Sequence, residues 1–395
     1  MNTDEQRQGM QTRMIHGAHA ANDTTAVSPP IFQTSTFLLR TPEEGAELAE
    51  QIAPTMYYTR YGSPNTKQVE VLLAELEESE AALAVGSGMA AITTAILANV
   101  QAGDHVIAQQ THYTATMSLL THTLPRYGIA VTQVDQRDTS AFAQAVQPNT
   151  KVIYTESPTN PTMDLTDLRA TAELARAIGA LAITDNTFAS CYNQRPLDLG
   201  YDLVVHSATK YLNGHTDVTA GILLGSKSLI DQAWEYLRVH GPVLHPFEAW
   251  LLRRGLQTYG LRMAAQNQNA LEIAHFLEQH SAVERVYYPG LPSHPQYELA
   301  RQQMVGGFGG MLAFEMKGGY DAAYNVIRQT ELCLLAASLG GVETLITHPA
   351  SMIHVHQSDE ERLAAGISPG LIRLSVGIEN VEDILADLDQ ALSTH

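Results

Sequence analysis

The stretch that decides the fold is HSATKYLNGHTDVTAG, residues 206–221, which directly follows the apolar run DLVV. A buried strand that runs into small polar residues places the next side chains at one edge of a sheet, and here that position holds Lys210. Ser207 and Thr209 flank this lysine with hydroxyl groups. An isolated lysine is most often a solvated surface residue. In this setting, however, a lysine with a lowered pKa can form a Schiff base with an aldehyde.

Short apolar runs recur on both sides of this stretch. A helix is predicted for DLTDLRATAELARAIG (164–179), which begins with Asp and ends with Gly. Strands that alternate with helices predict an α/β fold with a mainly parallel central sheet, in which ligands bind beyond the carboxyl ends of the strands. The predicted strands are HVIAQ (105–109), IAVTQVD (129–135), KVIYTES (151–157), ALAITDN (180–186), DLVVHSATK (202–210) and AGILLGS (220–226).

The chain is predicted to consist of three regions. Residues 1–62 lack a sustained helical period and are rich in Pro, Ser and Thr around AVSPPIFQTSTF, which predicts an extended N-terminal arm lying against another subunit. Residues 63–257 carry the predicted strands, after a helix in which Val69, Leu72, Leu73 and Leu76 form a buried stripe. Residues 258–395 predict a smaller C-terminal α/β domain, reached through one or two helices that begin near residue 246.

Composition narrows the class of protein. The 395 residues carry a net charge of −19, and such a surface repels nucleic acids and anionic lipids. The sequence has no apolar run of about 18 residues that could span a bilayer, and its polar N-terminus does not resemble a secretory signal. Two distant cysteines indicate neither a disulfide framework nor a zinc site. We therefore expect a cytoplasmic protein with a small-molecule substrate, and neither a nucleic acid, a membrane nor a metal as partner.

Two further segments carry chemistry. Asp185 ends a predicted strand 25 residues before Lys210, so adjacent strand ends can present both side chains to one ring. An isolated aspartate is more often a helix cap or a salt-bridge partner, but pyridoxal 5′-phosphate (PLP) needs both a lysine and a carboxylate facing its pyridine nitrogen. Ser87, Gly88 and Met89 precede an apolar helical stretch whose free N–H groups can bind a phosphate. In combination, these residues predict a PLP site.

Several motifs in fixed order resemble one family, the Cys/Met-metabolism PLP enzymes. The group includes cystathionine γ-synthase, cystathionine lyases, methionine γ-lyase and homoserine-ester sulfhydrylases, and the resemblance runs from about Thr12 to Leu392. It implies the fold of PLP-dependent transferases of fold type I and a homotetramer built from two dimers. The motifs are YTRYGSPN (58–65), SGM (87–89), ESPTNP (156–161), DNTF (185–188), HSATKYLNGH (206–215) and LIRLSVGIE (371–379).

The resemblance implies roles for single residues. Lys210 would carry the cofactor and move protons between substrate carbons, Asp185 would pair with the pyridine nitrogen, and Tyr113 would stack on the ring and assist proton transfer. Arg373 would bind the substrate carboxylate, for which a planar guanidinium is suited. The other expected contacts are with the phosphate (Ser87, Gly88, Met89, Ser207, Thr209), with the phosphate of the neighbouring subunit (Tyr58, Arg60), with the ring hydroxyl (Asn160) and with the substrate (Asn160, Ser338). Ser338 would also touch the lysine.

The implied reaction is γ-elimination or γ-replacement on a sulfur-containing amino acid or an O-acyl-homoserine. Lys210 would remove a proton from Cα, a second proton would leave Cβ, and the γ-substituent would depart as a thiolate or carboxylate. Methionine γ-lyase proper and an aminotransferase on the same fold remain alternatives.

Four departures from family patterns leave the substrate open. Ala115 and the pair Leu237–Arg238 replace a cysteine and a Lys-Asp pair of methionine γ-lyase, although YYPGLPSHPQYELARQQM (287–304) and THPASM (347–352) resemble that enzyme. Ala337 replaces a glutamate of cystathionine enzymes, and the run Ala337–Leu339 does not fit a β-lyase. The residues that could shape the distal pocket are His112, Ala115, Arg238 and His240; the two histidines could equally be structural or solvated.

Overall fold

The computed structural model describes residues 8–353, 355 and 358–393, apart from the side chains of Asp359, Glu361 and Ala364. Residues 1–7 of the predicted arm, and residues 354, 356, 357, 394 and 395 of the predicted C-terminal region, lie outside the described residues.

The strands form two sheets. All six strands predicted from the apolar runs are present as β2 to β7, and β1 was not predicted because AALAV is rich in alanine. The strands are β1 (Ala81–Val85), β2 (His105–Gln109), β3 (Ala130–Val134), β4 (Thr150–Glu156), β5 (Leu181–Asp185), β6 (Leu203–His206), β7 (Gly221–Gly225), β8 (Val283–Tyr287), β9 (Met311–Met316), β10 (Leu334–Leu335), β11 (Leu345–Thr347) and β12 (Leu371–Ser375).

Helices cover the sheets, with a short π-helical segment at Leu119–Thr123 and 3-10 turns at His19–Ala21 and Pro196–Leu199. The α-helices are α1 (Met10–His16), α2 (Pro42–Glu50), α3 (Pro64–Glu77), α4 (Gly88–Leu97), α5 (Thr114–Ser118), α6 (Leu124–Arg126), α7 (Thr139–Gln144), α8 (Leu168–Ile178), α9 (Ser190–Asn193), α10 (Lys227–His240), α11 (Pro246–Leu256), α12 (Tyr259–Gln279), α13 (Tyr297–Gln303), α14 (Gly319–Gln329), α15 (Asp359–Ala364) and α16 (Val381–Leu392).

The larger sheet has the strand order β1-β7-β6-β5-β4-β2-β3. Strand β7 is antiparallel to both of its neighbours, and strands β6, β5, β4, β2 and β3 are mutually parallel. The mainly parallel sheet expected from the sequence is therefore confirmed. Because its strands are buried on both faces by helices, they consist of nearly continuous apolar runs.

Local sequence signals define the helices next to this sheet. Ser63 caps α3 in a reciprocal capping box with Thr66, and Pro64 occupies the first helical position. The predicted stripe at 69, 72, 73 and 76 is buried at 1% exposure or less. Asp167 caps α8, and Gly179 ends it in a left-handed conformation with φ of 70°. The bridging segment after residue 246 is two helices, α11 and α12.

The smaller sheet has the order β10-β11-β12-β9-β8 and is mostly antiparallel. Helices α12, α14 and α16 pack against it through a core that includes Phe314, Val326 and Leu388.

The first 62 residues contain two short helices, α1 and α2, that the sequence analysis did not predict. Between them, residues 22–41 follow a course without helix or strand apart from a single bridge between Thr36 and Tyr58. Within the described part of the chain, no helix combines the length and apolar character needed to cross a membrane.

Candidate active site

Several predicted site residues follow the carboxyl ends of parallel strands at one edge of the larger sheet. Asp185 is the last residue of β5, and Ser207 to Lys210 come directly after β6. Tyr113 follows β2 by four residues, and Ser87 follows β1 by two. Parallel strands end at the same edge, so the topology gathers these residues from distant parts of the chain.

A chain of polar contacts joins Lys210 to the smaller sheet. The Nζ atom of Lys210 donates a hydrogen bond to Oγ of Ser338 at 2.6 Å. Arg373, on β12, donates from Nη2 to the Ser338 carbonyl at 2.8 Å and from Nη1 to Oδ1 of Asn160 at 3.2 Å. The structure therefore brings together the predicted base and the predicted carboxylate ligand through one residue.

Burial lowers the pKa of both basic side chains, Lys210 and Arg373. Burial and the nearby charge of Arg373 lower the pKa of Lys210 to about 8. Burial also lowers the pKa of Arg373 to about 10, so its guanidinium stays charged at neutral pH. The Nε atom of Arg373 is buried and has no hydrogen-bond partner among the described residues. This corner of the site therefore combines a partly neutral amine with a cation suited to a carboxylate.

Asp185 is held at the base of the site. It is 7% exposed, and its Oδ1 atom accepts hydrogen bonds from the backbone nitrogen and the hydroxyl of Thr187 at 2.9 Å and 2.5 Å. The Thr187 hydroxyl also accepts the backbone N–H of Ser207 at 2.7 Å. Thr187 thus ties the carboxylate to the segment that carries Lys210. Burial and the neighbouring Glu156 raise the pKa of Asp185 to about 6.

Glu156, the last residue of β4, lies opposite Asp185 in the strand register. Its Oε2 atom accepts the backbone N–H of Tyr113 at 2.9 Å. Burial raises the pKa of Glu156 to about 7. The Tyr113 ring itself is 45% exposed, so one face of the predicted stacking residue is accessible.

The N-terminus of α4 and the segment after β6 form the predicted phosphate site. Ser87 caps α4 by accepting the backbone N–H of Ala90 at 3.0 Å. A Cβ atom on Gly88 would lie 2.6 Å from Cβ of Ser207, so the two backbones approach as closely as a glycine permits. The Thr209 hydroxyl exchanges hydrogen bonds with the backbone of Ala220. Met89 is the next residue along α4, where its sulfur accepts from Thr116 at 3.7 Å.

The structure does not bring Tyr58 and Arg60 to this cluster. Arg60 donates a hydrogen bond to the carbonyl of Arg238, and its guanidinium lies over the rings of Tyr58 and Tyr61 at 5.3 Å and 4.8 Å. Among the described residues, no hydrogen bond joins either residue to Lys210, Asp185 or the start of α4. This placement leaves the expected contact with a neighbouring subunit as a prediction.

The residues considered for the distal pocket differ in their positions. His112 is buried behind Tyr113, with its Nδ1 atom 3.6 Å from Oε2 of Glu156 and its ring 5.1 Å from that of Tyr154. Arg238 pairs with Glu235 at the end of α10, and His240 stacks on Tyr236 at the surface. Ala337 is exposed directly beside Ser338.

Two residues of the site were not singled out from the sequence, namely Glu156 and Thr187. Both belong to motifs quoted above, ESPTNP and DNTF. Glu156 ends β4, beside the strand of Asp185, and the register of these two strands sets the two residues opposite each other. Among the described residues, no group of three or more His, Cys, Asp or Glu side chains could hold a metal ion.

Comparison with known proteins agrees with this arrangement. L-methionine gamma-lyase of Porphyromonas gingivalis is 49% identical over 395 residues, which cover 99% of this chain and 98% of that protein. Cystathionine gamma-lyase of Bacillus subtilis is 45% identical over 384 residues, or 97% of this chain and 98% of that one. The crystal structure of cystathionine gamma-lyase from Lactobacillus plantarum complexed with L-serine has a TM-score of 0.91 and 41% identity, covering 98% of this chain and 99% of that one.

These similarities confirm fold type I and, with it, PLP as the cofactor. The model of the Cys/Met metabolism PLP-dependent enzyme family matches residues 11–393. The chain belongs to the Cys/Met metabolism PLP-dependent enzyme family.

Proposed function

We propose that this enzyme eliminates or replaces the γ-substituent of a sulfur-containing L-amino acid, with PLP bound covalently to Lys210. The observation that carries the proposal is the contact chain from Lys210 through Ser338 to Arg373, with distances of 2.6 Å and 2.8 Å. A substrate whose carboxylate is bound by Arg373 has its Cα one bond away from that carboxylate. The Cα–H bond is thereby held next to the Nζ atom of the base.

The residues present fit PLP. The free N–H groups at the start of α4 suit a phosphate, and Gly88 lets Ser207 approach that helix start more closely than a side chain would permit. Asp185, buried and ionised through its two hydrogen bonds from Thr187, suits a protonated pyridine nitrogen. Asn160, whose Oδ1 atom accepts a hydrogen bond from Nη1 of Arg373 at 3.2 Å, is proposed to contact both the ring hydroxyl and the substrate. When bound, PLP supplies the electron sink that stabilises a carbanion at Cα.

The side chains of the protein carry out the proton transfers. Lys210 is partly neutral near pH 8, because burial and Arg373 disfavour its ammonium form, so its amine can take the proton from Cα. It has to release that proton before it can act as the base a second time and take a proton from Cβ. Tyr113 has an accessible ring and a backbone fixed by Glu156, and it can stack on the cofactor and assist departure of the γ-substituent. Each positioned acid or base contributes roughly 10²–10⁴-fold to such steps.

The distal end of the substrate is best matched by an uncharged group. Ala337, directly before Ser338, offers no carboxylate to a distal ammonium such as that of cystathionine. The similarity to methionine gamma-lyase, at 49% identity, supports methionine as the first substrate to test. Ala115 lies half-buried two residues after Tyr113 and supplies no thiol. A replacement reaction on an O-acyl-homoserine uses the same base and the same carboxylate ligand.

The proposed assembly is a homotetramer of two dimers in which Tyr58 and Arg60 reach the phosphate of a neighbouring subunit. The region 1–62, proposed as an arm beside the regions 63–257 and 258–395, exposes large apolar side chains that a second copy would cover: Val27 at 88%, Leu38 at 100%, Ile52 at 45% and Met56 at 48%. A cytoplasmic location is also proposed, since Cys191 and Cys333 are both free and buried.

The experiment that tests the proposed function has two stages. The purified protein is reduced with borohydride in the presence of PLP, and the modified peptide is mapped; we expect the label on Lys210 and none on Lys210→Ala. The protein is then incubated with methionine, cystathionine or O-acetylhomoserine plus a thiol, and 2-oxobutanoate, ammonia and thioether are measured. Formation of glutamate from 2-oxoglutarate, without release of a γ-group, would instead identify an aminotransferase. A label on another lysine would overturn the assignment of Lys210.

A further inference from the structure

Two buried carboxyl groups lie side by side beneath the candidate PLP site. Glu156 and Asp185 end adjacent parallel strands, oppose each other in the register and are 5% and 7% exposed. Two anionic carboxylates this close, with little water around them, disfavour each other, so one of the pair tends to retain a proton. The neighbours of each carboxyl group decide which of the two retains the proton.

The hydrogen-bond partners differ between the two carboxyl groups. Asp185 accepts a backbone N–H and a hydroxyl hydrogen from Thr187, and both favour its ionised form. Glu156 accepts the backbone N–H of Tyr113, and the backbone N–H of Asn160 also favours its anion. The second neighbour of Glu156 is an imidazole: Nδ1 of His112 lies 3.6 Å from Oε2.

His112 is the group toward which a protonated Glu156 can direct its proton. Its side chain is fully buried, and neither ring nitrogen has a hydrogen-bond partner among the described residues. A neutral imidazole has one acceptor nitrogen, which a protonated carboxyl group can satisfy. Two other ionisable neighbours are Tyr154, on the same strand as Glu156, and His206, which ends the adjacent strand β6 and pairs with Glu77 at 3.3 Å.

We propose that Glu156 holds a proton directed at His112 and thereby acts as a positioning residue that leaves Asp185 as the ionised member of the pair. Asp185 can then pair with the pyridine nitrogen of PLP, so the inference rests on the proposed function. The Oε2 atom of Glu156, which lies nearest His112, also accepts the backbone N–H of Tyr113. Glu156 would therefore link Asp185, the proposed partner of the pyridine nitrogen, to Tyr113, the residue proposed to stack on the ring.

The directions of the pKa shifts agree with this assignment. Burial raises the pKa of both Glu156 and Asp185, and the charge of Glu156 raises that of Asp185 further, so the pair readily retains one proton. The His112 ring beside Glu156 assigns that proton to Glu156. Burial lowers the pKa of His112 to about 3, so its ring is neutral and available as an acceptor. When the pH increases through about 7, Glu156 loses its proton and a second anion appears beside Asp185.

The first measurement is infrared spectroscopy of the PLP-loaded protein in the Glu70→Gln background. Glu70 is a second buried carboxyl group with a pKa of about 7, it accepts the backbone N–H of Ala84, and it is not a residue of the candidate site. Its replacement removes the competing signal. We expect one protonated carboxyl band near pH 6 that disappears as the pH increases through about 7 and is missing in Glu70→Gln/Glu156→Gln. Absence of the band in Glu70→Gln would overturn the proposal, even if Glu156→Gln failed to fold.

The second measurement follows the ring nitrogen of isotope-labelled PLP by NMR while the pH is varied. In the unmodified protein and in Glu70→Gln, the nitrogen signal should move as Glu156 ionises, because the charge beside Asp185 changes. In Glu156→Gln, which is neutral at every pH, the signal should stay at its low-pH position. The same titration in all three proteins would contradict the proposal. Failure of the proposed function would be seen separately, as absence of the borohydride label on Lys210.

Discussion

The Nζ atom of Lys210 lies 2.6 Å from the Oγ atom of Ser338, and the two residues lie in segments that flank different sheets. Lys210 follows β6 of the larger sheet, whereas Ser338 lies between β10 and β11 of the smaller one. Ser338 has a positive φ of 83°, a conformation that is costly for a residue with a side chain. The side chain of Lys210 is therefore positioned by the packing of the smaller sheet on the larger one.

The pH dependence of PLP attachment should report the lowered pKa of Lys210. Only the neutral amine attacks an aldehyde, so the rate of attachment to the PLP-free protein should increase with pH with a midpoint near 8. Replacement of Arg373 by Met removes a repelling charge and should move this midpoint to higher pH. Arg137→Met, which removes an exposed arginine paired with Asp135, is the control and should leave it unchanged. A midpoint that moves to lower pH in Arg373→Met would contradict the prediction.

The variant Gly88→Ala should weaken PLP binding. A Cβ atom at this position would lie 2.6 Å from Cβ of Ser207, so the start of α4 and the segment after β6 would have to separate. We expect the dissociation constant of PLP to increase by about tenfold, equivalent to about 1.4 kcal/mol. Gly9→Ala, where a Cβ atom would meet no other atom within 4 Å, should bind PLP normally. Equal affinities in the two variants would argue against the phosphate site at α4.

The two tryptophans offer a matched test of the arm. Trp234 donates to the carbonyl of Tyr61 at 2.7 Å, next to Arg60, while Trp250 donates to the carbonyl of Pro29 at 2.9 Å. Each change to Phe removes one hydrogen bond, worth about 1 kcal/mol. If Tyr58 and Arg60 bind the phosphate in a neighbouring subunit, Trp234→Phe should weaken PLP binding by about fivefold. Trp250→Phe should weaken PLP binding less. PLP titration measures both affinities, and a larger loss of affinity in Trp250→Phe than in Trp234→Phe would be inconsistent with that role.

A carboxylate at position 337 should alter the choice of substrate. Ala337→Glu places an anion on an exposed residue beside Ser338, where it can attract a distal ammonium group. Because solvent screens the pair, we expect kcat/KM for cystathionine relative to methionine to increase by only about fivefold. In the control variant Ala336→Glu the charge lies one residue earlier. An equal change of the ratio in both variants would show that the effect is not local to position 337.

The loop that leads to Ser338 depends on Asp387. Its carboxylate accepts the backbone N–H groups of Glu331, Leu332 and Cys333 at 2.7 Å, 3.0 Å and 2.8 Å. We expect Asp387→Ala to lower the free energy of unfolding by about 1–3 kcal/mol, because these donors lose a charged acceptor. Asp389→Ala, at an exposed position of the same helix, should lower the free energy of unfolding by a smaller amount. Thermal or urea denaturation measures both, and equal stabilities would exclude the anchoring role.

The contribution of Asp387 should also depend on pH. Burial raises the pKa of Asp387, but the three backbone N–H groups lower it by a larger amount. The pKa in the folded state therefore lies below the ordinary value of 3.8. A depressed carboxyl pKa gives stability that is present above the ordinary value and is lost as the pH falls through the folded value. The difference in unfolding free energy between the protein and Asp387→Ala should therefore decrease in acid. A difference that grows below pH 3.8 would contradict this sign.

Some residues of the candidate site were predicted from the sequence, and others were missed. Asp185 and Lys210 were found because both follow apolar strands, and the ends of parallel strands share one edge. Glu156 was missed although it ends a neighbouring strand, since only its register against Asp185 reveals the pair of carboxyl groups. His112 was considered for the substrate pocket, but its side chain is directed to the interior, where it contacts Glu156 and Tyr154. The direction of a side chain in a loop is decided by packing, which a local pattern does not record.

The sequence by itself determined the family, the alternation of strands and helices, and the lysine and aspartate that PLP chemistry requires, because these depend on local apolar runs and on motifs in fixed order. Only the tertiary structure decided that Arg373 contacts Ser338 and Asn160, and that Glu156 lies beside Asp185. These contacts join residues separated by 29 to 213 positions in the chain. Sheet pairing and core packing bring such distant residues together. The energies of these interactions are summed over the whole fold and are not determined by the contacting residues alone.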